Sequence, residues 1–281
     1  MNYRHIYHAG NFADVFKHAI FVLVIEHLKK KDKPFFVLDT HAGGGRYDLT
    51  SEEAARTGEY LDGVGRLLAA GDVPAELEAY VGAIRRLNAR YGAKPRWYPG
   101  SPLLARLLAR PRDRLVFAEL NPEAARPLSR EFGADPQVKI HHMDGYVALK
   151  ALLPPPERRG VVLIDPPFEE KGEFSRMVEG LKQACRRFST GIYLLWYPIK
   201  EAEAVRSFLE AVRGTGIRDI LAVELRIYAG EEAERLNGCG LVVVNPPWTL
   251  PEGLERFLPW MARLLAREGE GAWRLEWLSG D

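Results

Sequence analysis

A chain of 281 residues with 47% hydrophobic and 27% charged side chains can bury a sizeable core, which excludes intrinsic disorder and fits one elaborated α/β domain. The formal net charge of +1 excludes a uniformly basic nucleic-acid binder, so affinity for a polyanion has to come from local patches. Cys185 and Cys239 form neither a disulfide framework nor a zinc spacing, Met1 to His5 carries no signal-peptide apolar segment, and the longest apolar stretch, Ala19 to Ile25, is too short for a bilayer; a cytoplasmic protein without membrane attachment is expected.

In chain order, Phe12, Val15, Phe16, Ala19, Leu23 and Ile25 recur at helical spacing and predict a helix over 11–31 that ends in lysines. Strand-like runs follow at 35–39, 114–119, 138–142, 161–165, 191–197, 220–227 and 241–245, with helical patterns over 121–132, 174–188 and 201–213. This alternation predicts an α/β fold whose sheet is mostly parallel and covered by helices on both faces. Between the first two strands, 47–100 is far longer than a crossover needs and holds about two extra helices. It is read as a helical insertion subdomain within a single domain spanning 1–281. No repeats, low-complexity tracts or flexible linkers point to a second domain.

Four strand ends carry chemistry. The first closes in Asp39-Thr40-His41-Ala42-Gly43-Gly44-Gly45, where glycines such as Gly43 let the backbone approach a ligand. Its spacing departs from the dinucleotide fingerprint, so a compact nucleoside is expected rather than a pyrophosphate; a purely structural loop is the competing account. Glu119, ending the second strand, can accept both ribose hydroxyls, or else cap the helix that opens at Asn121-Pro122. Asp144-Gly145, after the third, can accept from an adenine amine and leave room for its ring, or form an ordinary turn. Asp165-Pro166-Pro167-Phe168 ends the buried run Val161 to Ile164. There Asp165 and the Pro166 carbonyl can hold a planar exocyclic amine while Phe168 stacks on the base, against the plainer reading of a strand closed by a proline turn.

The order of these elements resembles class I, Rossmann-like S-adenosylmethionine (SAM)-dependent methyltransferases, and the proline tetrapeptide resembles the motif of their amine-methylating branch. Tyr3-Arg4-His5, His8-Ala9-Gly10-Asn11, Ala13-Asp14-Val15, Lys17-His18, Leu38 to Gly43, Tyr98-Pro99-Gly100-Ser101-Pro102 and Leu195-Trp196-Tyr197-Pro198 resemble the RlmJ family over nearly the whole chain. These are bacterial methyltransferases of an adenine exocyclic amine in large-subunit ribosomal RNA. The resemblance implies SAM as cofactor, held by His18, His41, Gly43, Ser101, Glu119, Asp144 and Gly145. It further implies catalysis by Asp165 with Pro166 and Phe168, and a substrate side formed by Tyr3, His5, Lys17 and Phe168. Phe168 stands where much of the family has tyrosine, so stacking is kept and a phenol hydrogen bond is lost. Without the resemblance His18 and His41 would read as core polar residues, and no metal site is expected at His141-His142.

A second tetrapeptide, Asn245-Pro246-Pro247-Trp248, also follows an apolar strand, but its position on the expected last, antiparallel strand argues for Asp165 instead. Two basic clusters suit phosphate contact: Arg85, Arg86, Arg90, Lys94, Arg96, Arg106, Arg110, Arg112 and Arg114 with Tyr91, Trp97 and Tyr98 interleaved, and Lys29, Lys30, Lys31 and Lys33. Solvated helix faces are the alternative for each. The expected partner is 23S ribosomal RNA, with adenine N6 methylation as the activity and no obligatory protein partner. Rival readings are a DNA adenine methyltransferase, a nucleotide-cofactor oxidoreductase, which leaves the proline tetrapeptide unexplained, and a non-catalytic RNA-binding protein on a methyltransferase scaffold.

Overall fold

Period-two alternation in the apolar runs decides the layering. Val161 and Leu163 enter one core, Val162 and Ile164 the other, and none of the four is exposed. A strand buried on both faces requires helices on both faces. The computed structural model describes residues 4–92, 95–230, 232 and 235–279. Its strands are β1 (Phe36–Asp39), β2 (Arg46–Asp48), β3 (Trp97–Pro99), β4 (Arg114–Ala118), β5 (Val138–His141), β6 (Gly160–Ile164), β7 (Ile192–Ile199), β8 (Ile220–Arg226), β9 (Gly238–Val244) and β10 (Ala272–Ser279). The helices are α1 (Phe12–Lys29), α2 (Glu52–Thr57), α3 (Arg66–Ala69), α4 (Glu78–Asn88), α5 (Ser101–Leu108), α6 (Pro122–Phe132), α7 (Gly145–Leu152), α8 (Glu173–Arg187), α9 (Ala202–Arg213) and α10 (Leu250–Leu265).

The main sheet has the order β10-β8-β9-β7-β6-β1-β4-β5. From β5 to β7 neighbours run parallel, whereas β9 is antiparallel to both β7 and β8, and β10 is antiparallel to β8. This is the expected Rossmann-like class I methyltransferase sheet, with one addition: the last strand is β10, not the strand that leads to Asn245. β10 shows no apolar run because it is an edge strand, with Trp273 and Trp277 exposed at 38% and 49%.

α1 is apolar on nearly every side, and such a helix has to be buried. Val15, Phe16, Ala19, Ile20, Phe21, Val24 and Ile25 are fully buried between the sheet and helices α4, α5 and α10. Asn11 caps it by accepting the Asp14 N–H at 3.0 Å. Two buried basic side chains interrupt this apolar surface, Lys17 and His18. The segment 47–100 contains α2, a π-helical turn at Leu61–Gly65, α3 and α4, and the ribbon β2–β3 closes its base with Tyr47 opposite Tyr98. Gly63 lets it sit against the start of the chain: a Cβ there would lie 2.1 Å from the Gly10 carbonyl oxygen.

Candidate active site

The carboxyl ends of β1, β4, β5 and β6 open into a cavity of about 1090 Å³, roofed by the N-terminal segment, the first half of α1 and the start of α5. The register explains the convergence. Asp39 pairs with Phe117 and Leu163, so three parallel strands end level and their next residues share one rim. His18, His41, Gly43, Ser101, Glu119, Asp144, Gly145, Asp165, Pro166, Phe168, His5 and Lys17 all line it. Tyr3 lies outside the described residues.

The glycine turn is tied down on both sides. Thr40 donates through N–H and Oγ1 to the Leu163 carbonyl, each at 3.0 Å, and the Ala42 N–H donates to Ala118. Gly43 adopts φ +64°, and a Cβ there would meet the Tyr47 hydroxyl at 2.4 Å, so only glycine fits. Glu119 Oε2 accepts from the Gly43 N–H and Oε1 from the Asn121 N–H, both at 2.7 Å. It thus braces the turn as well as facing the cavity, and burial raises its carboxyl above the usual range. Asp144 is the N-cap of α7: Oδ1 accepts from Tyr146 and Val147 N–H groups, and Oδ2 from Arg176 at 3.1 Å. At Gly145 a Cβ would lie 2.4 Å from the Thr40 carbonyl and 2.8 Å from the His41 ring. The glycine therefore also lets the start of α7 pack closely against Thr40 and His41.

Burial pushes His18 down to about 3 and His41 to about 4, so both rings are neutral near pH 7. His18 Nδ1 lies 2.6 Å from the Tyr98 hydroxyl, which lies 2.8 Å from that of Tyr80, so the insertion helix α4 orients the ring through two buried phenols. Asp39 is 1% exposed; its Oδ1 accepts from the His41 N–H, and Oδ2 has no hydrogen-bond partner among the described residues. Burial pushes this carboxyl up to about 7, against the pull of Ser101 and the His41 N–H. A raised carboxyl contributes stability below its unfolded value near 3.8 and loses it as pH rises through 7. Asp39→Asn is therefore expected to raise the melting temperature over wild type at pH 8, by roughly 1 kcal/mol or more in stability, with a smaller gain at pH 5. Thermal unfolding at the two pH values checks this, and an equal gain at both would refute it.

Around Asp165 the charges are arranged in a chain. Lys17, 4% exposed on α1, places Nζ 2.5 Å from Asp165 Oδ2 and 2.9 Å from Asp14 Oδ1. Asp14 Oδ2 in turn lies 2.9 Å from His5 Nε2 and accepts the Gly10 N–H at 2.9 Å. Burial opposes both charges, yet the neighbouring His5 and Lys17 hold Asp14 well below the usual carboxylate range, and Asp14 and Asp165 hold Lys17 well above the usual ammonium range. Asp165 Oδ1 and the Pro166 carbonyl have no hydrogen-bond partner among the described residues. Beside them Phe168, at φ +53°, meets Phe174 and Trp196 edge-on with ring centroids 5.1 and 5.8 Å apart. Asn245 lies at the other end of the sheet, its side chain bonded to the Ser189 and Gly191 carbonyls ahead of β7.

The family model described as Ribosomal RNA large subunit methyltransferase D, RlmJ, matches residues 32–279. The chain belongs to the RlmJ family. It is 46% identical to Ribosomal RNA large subunit methyltransferase J of Escherichia coli K12, over 99% of both chains, and 42% identical to the protein of that name from Haemophilus influenzae, over 100% of both. A solved structure, protein LPL1258 of Legionella pneumophila, superposes with a TM-score of 0.88 at 34% identity, covering 96% of this chain and 98% of that one.

Within this RlmJ-family chain, two site residues escaped the sequence reading. Asp14 stands three residues before Lys17 on a buried helix, a spacing that makes them neighbours and was the available signal. Arg176 joins Asp144 to Glu170 and Glu173; its i,i+3 spacing from Glu173 on α8 was legible in the same way, whereas its reach to Asp144 was not. The first basic cluster also needs correction. Arg96, Arg106, Arg110, Arg112 and Arg114 pair with Asp48, Asp135, Asp113, Asp32 and Glu157, so only Arg85, Arg86 and Arg90 stand exposed without a carboxylate partner among the described residues. Lys94 lies outside the described residues.

Proposed function

We propose that the protein transfers the methyl group of SAM to the exocyclic N6 amine of an adenine in 23S ribosomal RNA, acting on protein-free RNA from a cytoplasmic location. The observation that carries this reading is Asp165, anchored through Oδ2 by Lys17 so that Oδ1 and the adjacent Pro166 carbonyl stay available. Two acceptors at a strand end can take both hydrogens of one planar amine, drawing its lone pair out of conjugation. Positioning of this kind supplies most of the acceleration. A flipped adenine would rest against Phe168. Once methylated, the nitrogen is strongly acidic, and Asp165 Oδ1 is the acceptor placed to take its proton.

The cavity suits SAM on three counts. Eleven carboxylates and five lysine or arginine side chains line it among the described residues, an acidic balance that favours a ligand of net positive charge. Gly43 leaves the cradle a Cβ would fill, and Glu119 faces the place of a ribose. His18, His41, Ser101, Asp144 and Gly145 complete the proposed cofactor side, and Tyr3, His5, Lys17 and Phe168 the substrate side. When bound, SAM supplies an electrophilic methyl group on a sulfonium. Residues 47–100 are proposed as an inserted helical subdomain of one domain spanning 1–281. Among the described residues no helix is long and apolar enough to cross a membrane.

Purified protein with labelled SAM is expected to methylate adenine in protein-free 23S ribosomal RNA in preference to duplex DNA; stronger labelling of DNA would favour the rival substrate. Glu119→Ala is expected to weaken SAM binding by roughly 1.5–3 kcal/mol, the worth of a hydrogen bond to a charged group. Titration calorimetry measures this, and unchanged affinity would remove Glu119 from the ribose.

A further inference from the structure

An acidic crevice cannot by itself attract a polyanion, so the charges that hold RNA have to lie elsewhere on the surface. We infer that the end of the sheet opposite the crevice, centred on the turn Asn245-Pro246-Pro247-Trp248-Thr249, is a second RNA contact in which Trp248 stacks an unpaired base and flanking cations hold its phosphates. This rests on the ribosomal RNA reading above.

Because β9 runs antiparallel to β7, its end lies beside the start of β7, away from Asp165. The turn is fixed from several sides. Asn245, at φ +52°, donates through Nδ2 to the Ser189 and Gly191 carbonyls at 2.8 and 2.7 Å and through its N–H to Asp219 at 2.9 Å. The Leu250 N–H donates to the Pro247 carbonyl at 2.8 Å, and the two prolines restrict the backbone between. On this rigid support Trp248 is 82% exposed, more than any other large apolar side chain among the described residues. An indole held out in water gains nothing for the fold, whereas as a preorganised stacking platform it loses little freedom on binding a base.

Cations flank it on both sides. Lys182, Arg186 and Arg218 line a shallow hollow with Asn245. On the other side the Thr249 hydroxyl lies 3.4 Å from the His27 ring, beyond which the lysine segment follows α1. Arg110 donates to the Lys29, Lys31 and Lys33 carbonyls and Arg159 to those of Leu28 and Lys33, which fixes that backbone and leaves the lysine side chains outward. Thr190 joins the two sides by donating to the Arg158 carbonyl at 3.1 Å. Lys30, Lys31, Lys33, Arg158, Arg186 and Arg218 are exposed, and none has a carboxylate within 4.0 Å among the described residues. Against them stand the exposed Asp32 and Asp219, so in a chain of net charge +1 the cations outnumber the carboxylates of these segments at this end of the sheet. The eight residues of β7 separate the two ends of the sheet by on the order of 25 Å, so only an RNA long enough to pass round the sheet can touch both.

The test compares wild type, Trp248→Ala and a triple neutralisation, Lys30→Gln with Lys31→Gln and Arg218→Gln. Binding and methylation are measured on full-length protein-free 23S ribosomal RNA and on a short oligonucleotide spanning the methylated adenosine. Trp248→Ala is expected to weaken binding of the long RNA on the order of ten-fold. The triple variant is expected to flatten the dependence of log K on log salt by roughly 2–3. Turnover on the oligonucleotide and SAM affinity stay at wild-type values. Wild-type affinity and salt slope in both variants would overturn the inference while leaving the methyltransferase reading intact, as would an equal loss on the short substrate. If wild type methylated no RNA yet the variants lost RNA binding, the surface would stand and the activity would fall. Loss of sedimentation with phosphatidylglycerol vesicles in variants that keep RNA binding would overturn the inference in favour of a membrane.

Discussion

Asp165→Ala is expected to lower methyl transfer by several orders of magnitude while SAM affinity stays within a few-fold of wild type. The carboxylate touches the acceptor amine in the proposed arrangement, whereas the ribose and adenine contacts assigned to Glu119 and Asp144 belong to other strand ends. Loss of Oδ1 leaves the Pro166 carbonyl as sole acceptor, so the amine is neither aligned nor drawn out of conjugation. Single-turnover kinetics with labelled SAM separates this from a binding defect. Asn245→Ala is the control, with its rate constant for transfer kept within a few-fold because its side chain serves the Ser189 and Gly191 carbonyls at the far end of the sheet. Retention of full activity by Asp165→Ala would reject the assignment.

The second large effect is on stability. Lys17→Met strips the ammonium from two carboxylates, one of them 2% exposed, and breaking a buried ion pair by removing one partner costs about 3–5 kcal/mol. Replacing Asp14 by Leu in the same chain removes one stranded charge and is expected to recover part of that loss in stability but none of the activity. The pH window follows from the shifts. Lys17 is raised above the unfolded value of 10.5, so its contribution is present below that pH and lost as pH rises through the folded value; Asp14 is lowered below 3.8, so its contribution is present above that pH and lost on acidification. In Lys17→Met burial raises the stranded Asp14 carboxyl, so the stability gap to wild type should shrink toward acid as that carboxyl takes up a proton in the variant, and shrink again above the unfolded Lys17 value. Urea denaturation at several pH values reads this directly, and coincident midpoints for wild type and Lys17→Met would sink the buried-pair account.

Local patterning determined the strands that end the site. Apolar runs such as Val161 to Ile164 mark strands buried on both faces, and in a parallel sheet the residue after each run falls on one rim; Glu119, Asp165 and the glycine turn were legible for that reason. The placement of Asn245 away from that rim was legible too, although the chain ends in a further, solvated edge strand. What only the tertiary structure decided is the charge state and grip of those residues. Lys17 meets Asp165 across 148 positions of sequence, and Glu119 reaches Gly43 across 76. The arginine stretch that reads as a basic patch is largely neutralised by carboxylates brought in from other elements, such as Asp135 for Arg106 and Glu157 for Arg114. Exposed Arg186 and Arg218 share a hollow with Asn245 at the end of the sheet opposite the crevice, and exposed Lys30 precedes β1 at that same end. Hydrophobic periodicity is a property of neighbours along the chain and survives in the sequence, whereas an electrostatic field sums over neighbours in space and exists only once the chain has folded.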